Sequence, residues 1–131
     1  MLIVDASALA EYLVGSTLGL RASELMAAHR NNLHLPHLAI AETTSVFRSW
    51  VARGELAEQR ALGALEDLRD FPAIRYPSEP LLRRIWALRH NLSAYDAHYV
   101  ALAELLEAPL LTADARIARA SGHSAKIQLL D

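Results

Sequence analysis

Strand-like runs of only three or four residues, separated by much longer helical patterns, set the terms on which this chain can fold. The runs are Leu2–Val4, Leu33–Leu35, Ala73–Tyr76, Leu110–Thr112 and Ile127–Leu130. Between them lie helical patterns over Ala6–Val14, Leu18–His29, His37–Arg53, Glu55–Arg69, Ser78–His90, Ser93–Glu107 and Ala113–Ser121. Turn-forming residues mark the breaks: Gly15-Ser16, Pro36, Gly54 past the end of the third helix, and Pro72 and Pro77 around the third strand. Strands alternating with helices predict an α/β fold, a central parallel sheet flanked by helices on both faces. No linker, repeat or low-complexity segment interrupts the pattern, so residues 1–131 read as one domain. At 53% apolar residues the chain can bury a real core and lacks the polarity of a disordered segment.

In an open parallel sheet, ligands bind outside the carboxyl ends of the strands. The opening MLIVDASALAEYL therefore matters, because Asp5 stands where the first strand hands over to a helix. Three further acids belong to the same edge. Glu42, in HLAIAETTSVF, lies in the second turn of the helix after the second strand, with Leu38, Ala39, Ser45 and Val46 as helical neighbours. Asp96, in LSAYDAHYVALAE, lies in the first turn of its helix, and Asp114, in LLTADARIARA, follows the fourth strand. Each has a plain structural role open to it. Asp5 and Asp114 can be helix N-caps, Asp96 can complete a Ser93-x-x-Asp96 capping box, and Glu42 can sit on a solvated face. Together they crowd negative charge at one edge, which repels itself unless cations lie between.

Oxygen donors in a chain without cysteine suit hard cations, so Mg²⁺ or Mn²⁺ is the expected cofactor. Such an ion orients a water, lowers its pKa and offsets charge on a phosphate in line for displacement. Ser7 and Thr112 put hydroxyls beside two of the acids, where they either steady the site or cap helices. Arg116 and Arg119 are three apart in a helical pattern and can share a face, to steer phosphate or simply to meet solvent.

DASAL after the first strand, an acid in the helix after the second, LSAYDAHYVALAE and LLTADARIARA together resemble the PIN-domain ribonucleases, above all the VapC-type toxins of bacterial toxin–antitoxin pairs. By that resemblance, Asp5, Glu42, Asp96 and Asp114 match the family's catalytic, metal-binding acids, and Ser7 and Thr112 its supporting hydroxyls. The resemblance implies a single PIN domain and Mg²⁺- or Mn²⁺-dependent cleavage of RNA. It also implies a homodimer, and neutralisation by a cognate VapB-type antitoxin within a hetero-oligomer. All four acids are present, which argues against a catalytically silent binding module.

Other classes fit less well. A receiver-type phosphoacceptor domain needs paired acids after the first strand, and Asp5 is followed by Ala6; its late-strand lysine is also missing, since Lys126 precedes the last strand. A phosphatase with an Asp nucleophile needs a second acid where Ser7 stands. No histidine is indicated as a partner for Ser7 in a nucleophilic triad. His34 and His37 read as structural or surface residues, and His98, two positions from Asp96, faces elsewhere. Trp50 and Trp86 read as helix-packing or dimer-contact residues. The net charge of −2 excludes a broadly basic surface but not a local phosphate-binding patch. Absence of cysteine excludes disulfides, and no apolar stretch has the length of a signal or membrane segment, so a cytoplasmic protein without membrane contact is expected.

Overall fold

A computed structural model describes residues 1–131. The strands are β1 (Leu2–Val4), β2 (Leu33–Pro36), β3 (Ile74–Tyr76), β4 (Leu110–Thr112) and β5 (Ile127–Leu129). All neighbours pair in parallel, in the order β3-β2-β1-β4-β5. Ile3 lies in register with His34 on one side and Leu110 on the other. β1 and β4 are buried throughout, as central strands covered on both faces must be. The edge strands β3 and β5 are three residues long and partly exposed, which limits the pairing surface they offer.

The helices are α1 (Ala6–Val14), α2 (Thr17–Ala27), α3 (Leu38–Ala52), α4 (Glu58–Arg69), α5 (Leu82–Ala87), α6 (Ala94–Leu106) and α7 (Ala115–Arg119). The chain steps from β1 outward to β3, then returns past β1 to β4 and β5. Right-handed crossovers in opposite directions put α1–α4 on one face and α5–α7 on the other. The reversal between β1 and β4 opens a crevice at their carboxyl ends.

Apolar residues of β1 and β4 form the middle of the core, with Leu9 of α1, Phe47 of α3 and Val100 and Leu102 of α6 packed around them. α6 is buried along Ala97 and Tyr99–Ala103, and its alanines allow close approach to the sheet. At the α1–α2 corner, Gly15 takes a left-handed conformation and the Ser16 side chain caps Gly19. A Cβ on Gly19 would lie 2.0 Å from the Glu11 carbonyl oxygen, so only glycine permits this crossing.

Three helical patterns are shorter than the sequence suggests. Glu55 does not begin α4, because its N–H bonds the Trp50 carbonyl and, with Gly54 at φ 74°, closes the end of α3. The pattern Ser78–His90 is not one helix but a 3₁₀ turn, Glu79–Leu81, followed by the six-residue α5. Pro80 lacks an N–H and disfavours the α conformation at Glu79, so regular helix starts only beyond it. α7 likewise stops at Arg119, because Ala120 turns extended.

Candidate active site

Asp5 is the best-fixed acid at the crevice. It is buried, follows β1, and caps α1 by accepting the Ala8 N–H at 3.0 Å. The Ser7 hydroxyl donates to the same oxygen, Oδ1, at 2.6 Å, and the Thr112 hydroxyl donates to Oδ2. Both hydroxyls also reach the backbone after β4: Ser7 Oγ accepts the Ala113 N–H and Thr112 Oγ1 the Asp114 N–H, each at 2.9 Å. Asp5 is thus a cap and a cleft residue at once. Thr112 itself is fully buried beneath the cleft and does not line it.

A cleft of about 570 Å³ lies above this knot. Asp5, Glu42, Asp96 and Asp114 all line it, with Ser7, Arg116 and the α3 residues Leu38, Ser45 and Ser49. The acids belong to helices that begin at the carboxyl edge of the sheet, where N-terminal dipole ends favour negative charge. Only one arm of the capping box forms: the Ser93 side chain accepts the Asp96 N–H at 3.1 Å. Asp114 caps α7 through Arg116 N–H at 2.9 Å.

Charge is costly here. Burial pushes the Asp5 carboxyl up to about 6, against the Ser7, Thr112 and Ala8 donors that favour its ionised form; Asp114 adds to the upward push. Burial also raises Glu42, with Asp96 contributing and the Tyr99 hydrogen bond opposing. Asp96 is raised by burial and then by the charge on Asp114. Asp114 alone is held below the usual carboxylate range, first by its hydrogen bonds from Arg116. That guanidinium grips both carboxylate oxygens, Nε to Oδ1 at 3.1 Å and Nη2 to Oδ2 at 2.7 Å. Its side chain is 80% exposed, and it turns back onto Asp114 instead of standing free.

The donor set fits a hard divalent cation: four carboxylates, mutually repelling, one of them buried at the base of an open cleft. As the side chains stand, no three acidic or imidazole groups surround a single point. Glu42 is drawn toward Tyr99, and Asp114 toward Arg116.

Tyr99 is a participant that sequence reasoning overlooks. It is buried in α6, and its hydroxyl donates to Glu42 Oε1 at 2.7 Å, joining the two faces of the sheet above its edge. The signal available was a tyrosine at the head of the buried run Val100–Ala103, since a buried phenol needs a partner. Other residues fall where their types suggest. His34 bonds Asn32 and Tyr76, and His98 bonds the Ala94 carbonyl and Ser78. Trp50 packs against the core, its ring near Phe47. Trp86 does not pack inside the protomer; it is 68% exposed and carries the Arg89 guanidinium 4.5 Å from its ring centre.

Comparison with known proteins agrees with this architecture. The PIN domain family model matches residues 2–122. Ribonuclease VapC9 of Mycobacterium tuberculosis is 44% identical over 117 residues, covering 89% of this chain and 88% of the relative. Ribonuclease VapC1 of the same species is 40% identical over 130 residues, covering 98% and 96%. Among solved structures, PAE2754 from Pyrobaculum aerophilum shares the fold with a TM-score of 0.72 at 23% identity, over 96% of this chain and 81% of that one.

Proposed function

This chain belongs to the PIN-domain family and is of the VapC type, and from that premise we propose that it is a metal-dependent endoribonuclease, the toxin of a toxin–antitoxin pair. The observation that carries the reading is the gathering of Asp5, Glu42, Asp96 and Asp114 on one cleft at the switch point of the sheet. Its relatives named as ribonucleases lend it the substrate class.

Asp5, Glu42, Asp96 and Asp114 would hold Mg²⁺ or Mn²⁺, which supplies acidity to water and positive charge against the phosphate oxygens. Asp5 is the anchor, because Ser7, Thr112 and the Ala8 N–H fix its carboxylate before anything binds. Glu42 keeps Oε1 on the Tyr99 hydroxyl, so Oε2 is the oxygen left for the cation. Arg116, now paired with Asp114, is the guanidinium in the cleft that would meet the phosphate backbone when Asp114 is taken up by a cation.

A nuclease of cellular RNA needs restraint, so the reading includes a VapB-type antitoxin that brings a cationic side chain to the acids. It further includes a homodimer, a hetero-oligomer with the antitoxin, and action in the cytoplasm. No helix is long and apolar enough to cross a membrane. The test is cleavage of RNA by purified, antitoxin-free protein with Mg²⁺ or Mn²⁺. Cleavage should stop with chelator and in Asp5→Asn. Full activity in chelator overturns the metal mechanism, and failure to cut any RNA overturns the ribonuclease.

A further inference from the structure

We propose that Tyr95 is the base-stacking platform of the cleft. The inference deepens the ribonuclease reading above and rests on it.

Tyr95 immediately precedes Asp96 at the start of α6 and lines the same cleft as the four acids. It stands one helical turn before Tyr99, on the same stripe of the helix. The two tyrosines differ in how they are used. Tyr99 is 1% exposed and committed to Glu42, whereas Tyr95 is 61% exposed, an aromatic ring at the mouth of a charged cleft.

The cleft needs such a surface. Its lining carries four carboxylates and one guanidinium, and that guanidinium is paired with Asp114. Phosphate contacts within it are therefore net repulsive until cations bind. Stacking on an aromatic face supplies affinity that does not depend on charge, and every base offers a π face. The α3 wall, with Leu38, Val46, Ser45 and Ser49, mixes apolar surface with hydroxyls, a lining suited to a ribose edge and its 2′-OH. A base can meet Tyr95 only if its own face is uncovered. In a duplex, neighbouring base pairs cover both faces, so recognition requires a single strand, loop or end.

The test uses a single-stranded oligoribonucleotide carrying 2-aminopurine at successive positions. It is titrated in chelator with the full-length wild type, Tyr95→Phe and Tyr95→Ala, and cut in parallel with Mn²⁺. The wild type and Tyr95→Phe should quench the probe at one position, and Tyr95→Ala should not. In Tyr95→Ala, Kd and KM should rise about 5- to 100-fold, with the loss in KM and not in kcat. A fully paired duplex of the same sequence should bind wild type and Tyr95→Ala equally. Wild-type Kd and quenching in Tyr95→Ala would overturn the proposal. A wild type that neither binds nor cuts RNA overturns the ribonuclease reading together with this one, so the two failures are distinct.

Discussion

Arg116 clasps Asp114 at two points, Nε to Oδ1 and Nη2 to Oδ2, so the acid after β4 already has a cation supplied by its own helix. A pair this exposed is weak, and its removal should cost under about 1 kcal/mol. The clasp nevertheless competes with any ion that needs the same oxygens. Arg116→Gln should therefore show a thermal response to Mn²⁺ at lower metal concentration than wild type, read from melting curves across a Mn²⁺ series. An unchanged or weaker response would mean that Arg116 does not compete for Asp114.

The buried carboxylate of Asp5 sets a pH dependence with a definite sign. Its folded pKa of about 6 exceeds the ordinary 3.8, so between these values the folded protein holds a proton that the unfolded chain has lost. Its stability contribution is complete below the lower value and is lost as pH rises through the upper one, an effect on the order of 3 kcal/mol. Glu42 and Asp96, also raised, act in the same direction. His34, lowered by burial, acts oppositely below its ordinary 6.5. The comparison of wild type with Asp5→Asn isolates the effect. In chelator, the mutant's advantage in melting temperature should grow between pH 4 and pH 7. A constant difference across that interval would contradict the assignment.

Thr112 is fully buried and donates to Asp5 while accepting from the Asp114 N–H. Thr112→Val keeps the shape and removes both bonds, leaving a buried carboxylate oxygen and an amide unsatisfied. The expected loss is about 2–3 kcal/mol, because hydrogen bonds to charged groups exceed neutral ones. Thr112→Ser should recover most of it. Urea unfolding of the two variants checks this; a Thr112→Val protein as stable as wild type beside a destabilised Thr112→Ser would mean that the methyl group, not the hydroxyl, matters.

Asp96 separates a helix cap from a cation ligand. A carboxylate that only favours its helix N-terminus contributes about 0.3–1 kcal/mol, lost in Asp96→Asn. Burial and the charge on Asp114 instead disfavour its ionised form. Asp96→Asn should therefore melt no lower than wild type in chelator. With Mn²⁺ at a hundred times its dissociation constant, wild type should gain about 2.7 kcal/mol and the mutant much less. A lower melting temperature in chelator with an undiminished metal response would remove Asp96 from the site.

What could be read from the sequence was whatever is local along the chain. Asp5 and Asp114 directly follow apolar triplets, so their position at strand exits is visible without knowing which strands are neighbours. The alternation of elements gave the parallel sheet for the same reason. The Tyr99–Glu42 bond joins helices 57 residues apart and depends on the strand order, which no local pattern encodes. The turn of Arg116 onto Asp114 is a choice of side-chain conformation, invisible to helical spacing alone. Pro80 restricts Glu79 before it, so the fifth helical pattern opens as a 3₁₀ turn and regular helix begins at Leu82 despite the apolar periodicity.

The pairing of β1 with β4 sets Ile3 beside Leu110 and Val4 beside Leu111, residues far apart along the chain. Ser7 and Thr112, 105 residues apart, close the knot that fixes Asp5. Contacts so distant in sequence form after loop closure has been overcome, and during synthesis they wait until β4 has emerged. A growing chain can fold α1 against α2 early, but it owns only half of its acidic cleft. For a chain proposed to cut cellular RNA, this wiring leaves the cleft unassembled until β4 has been made.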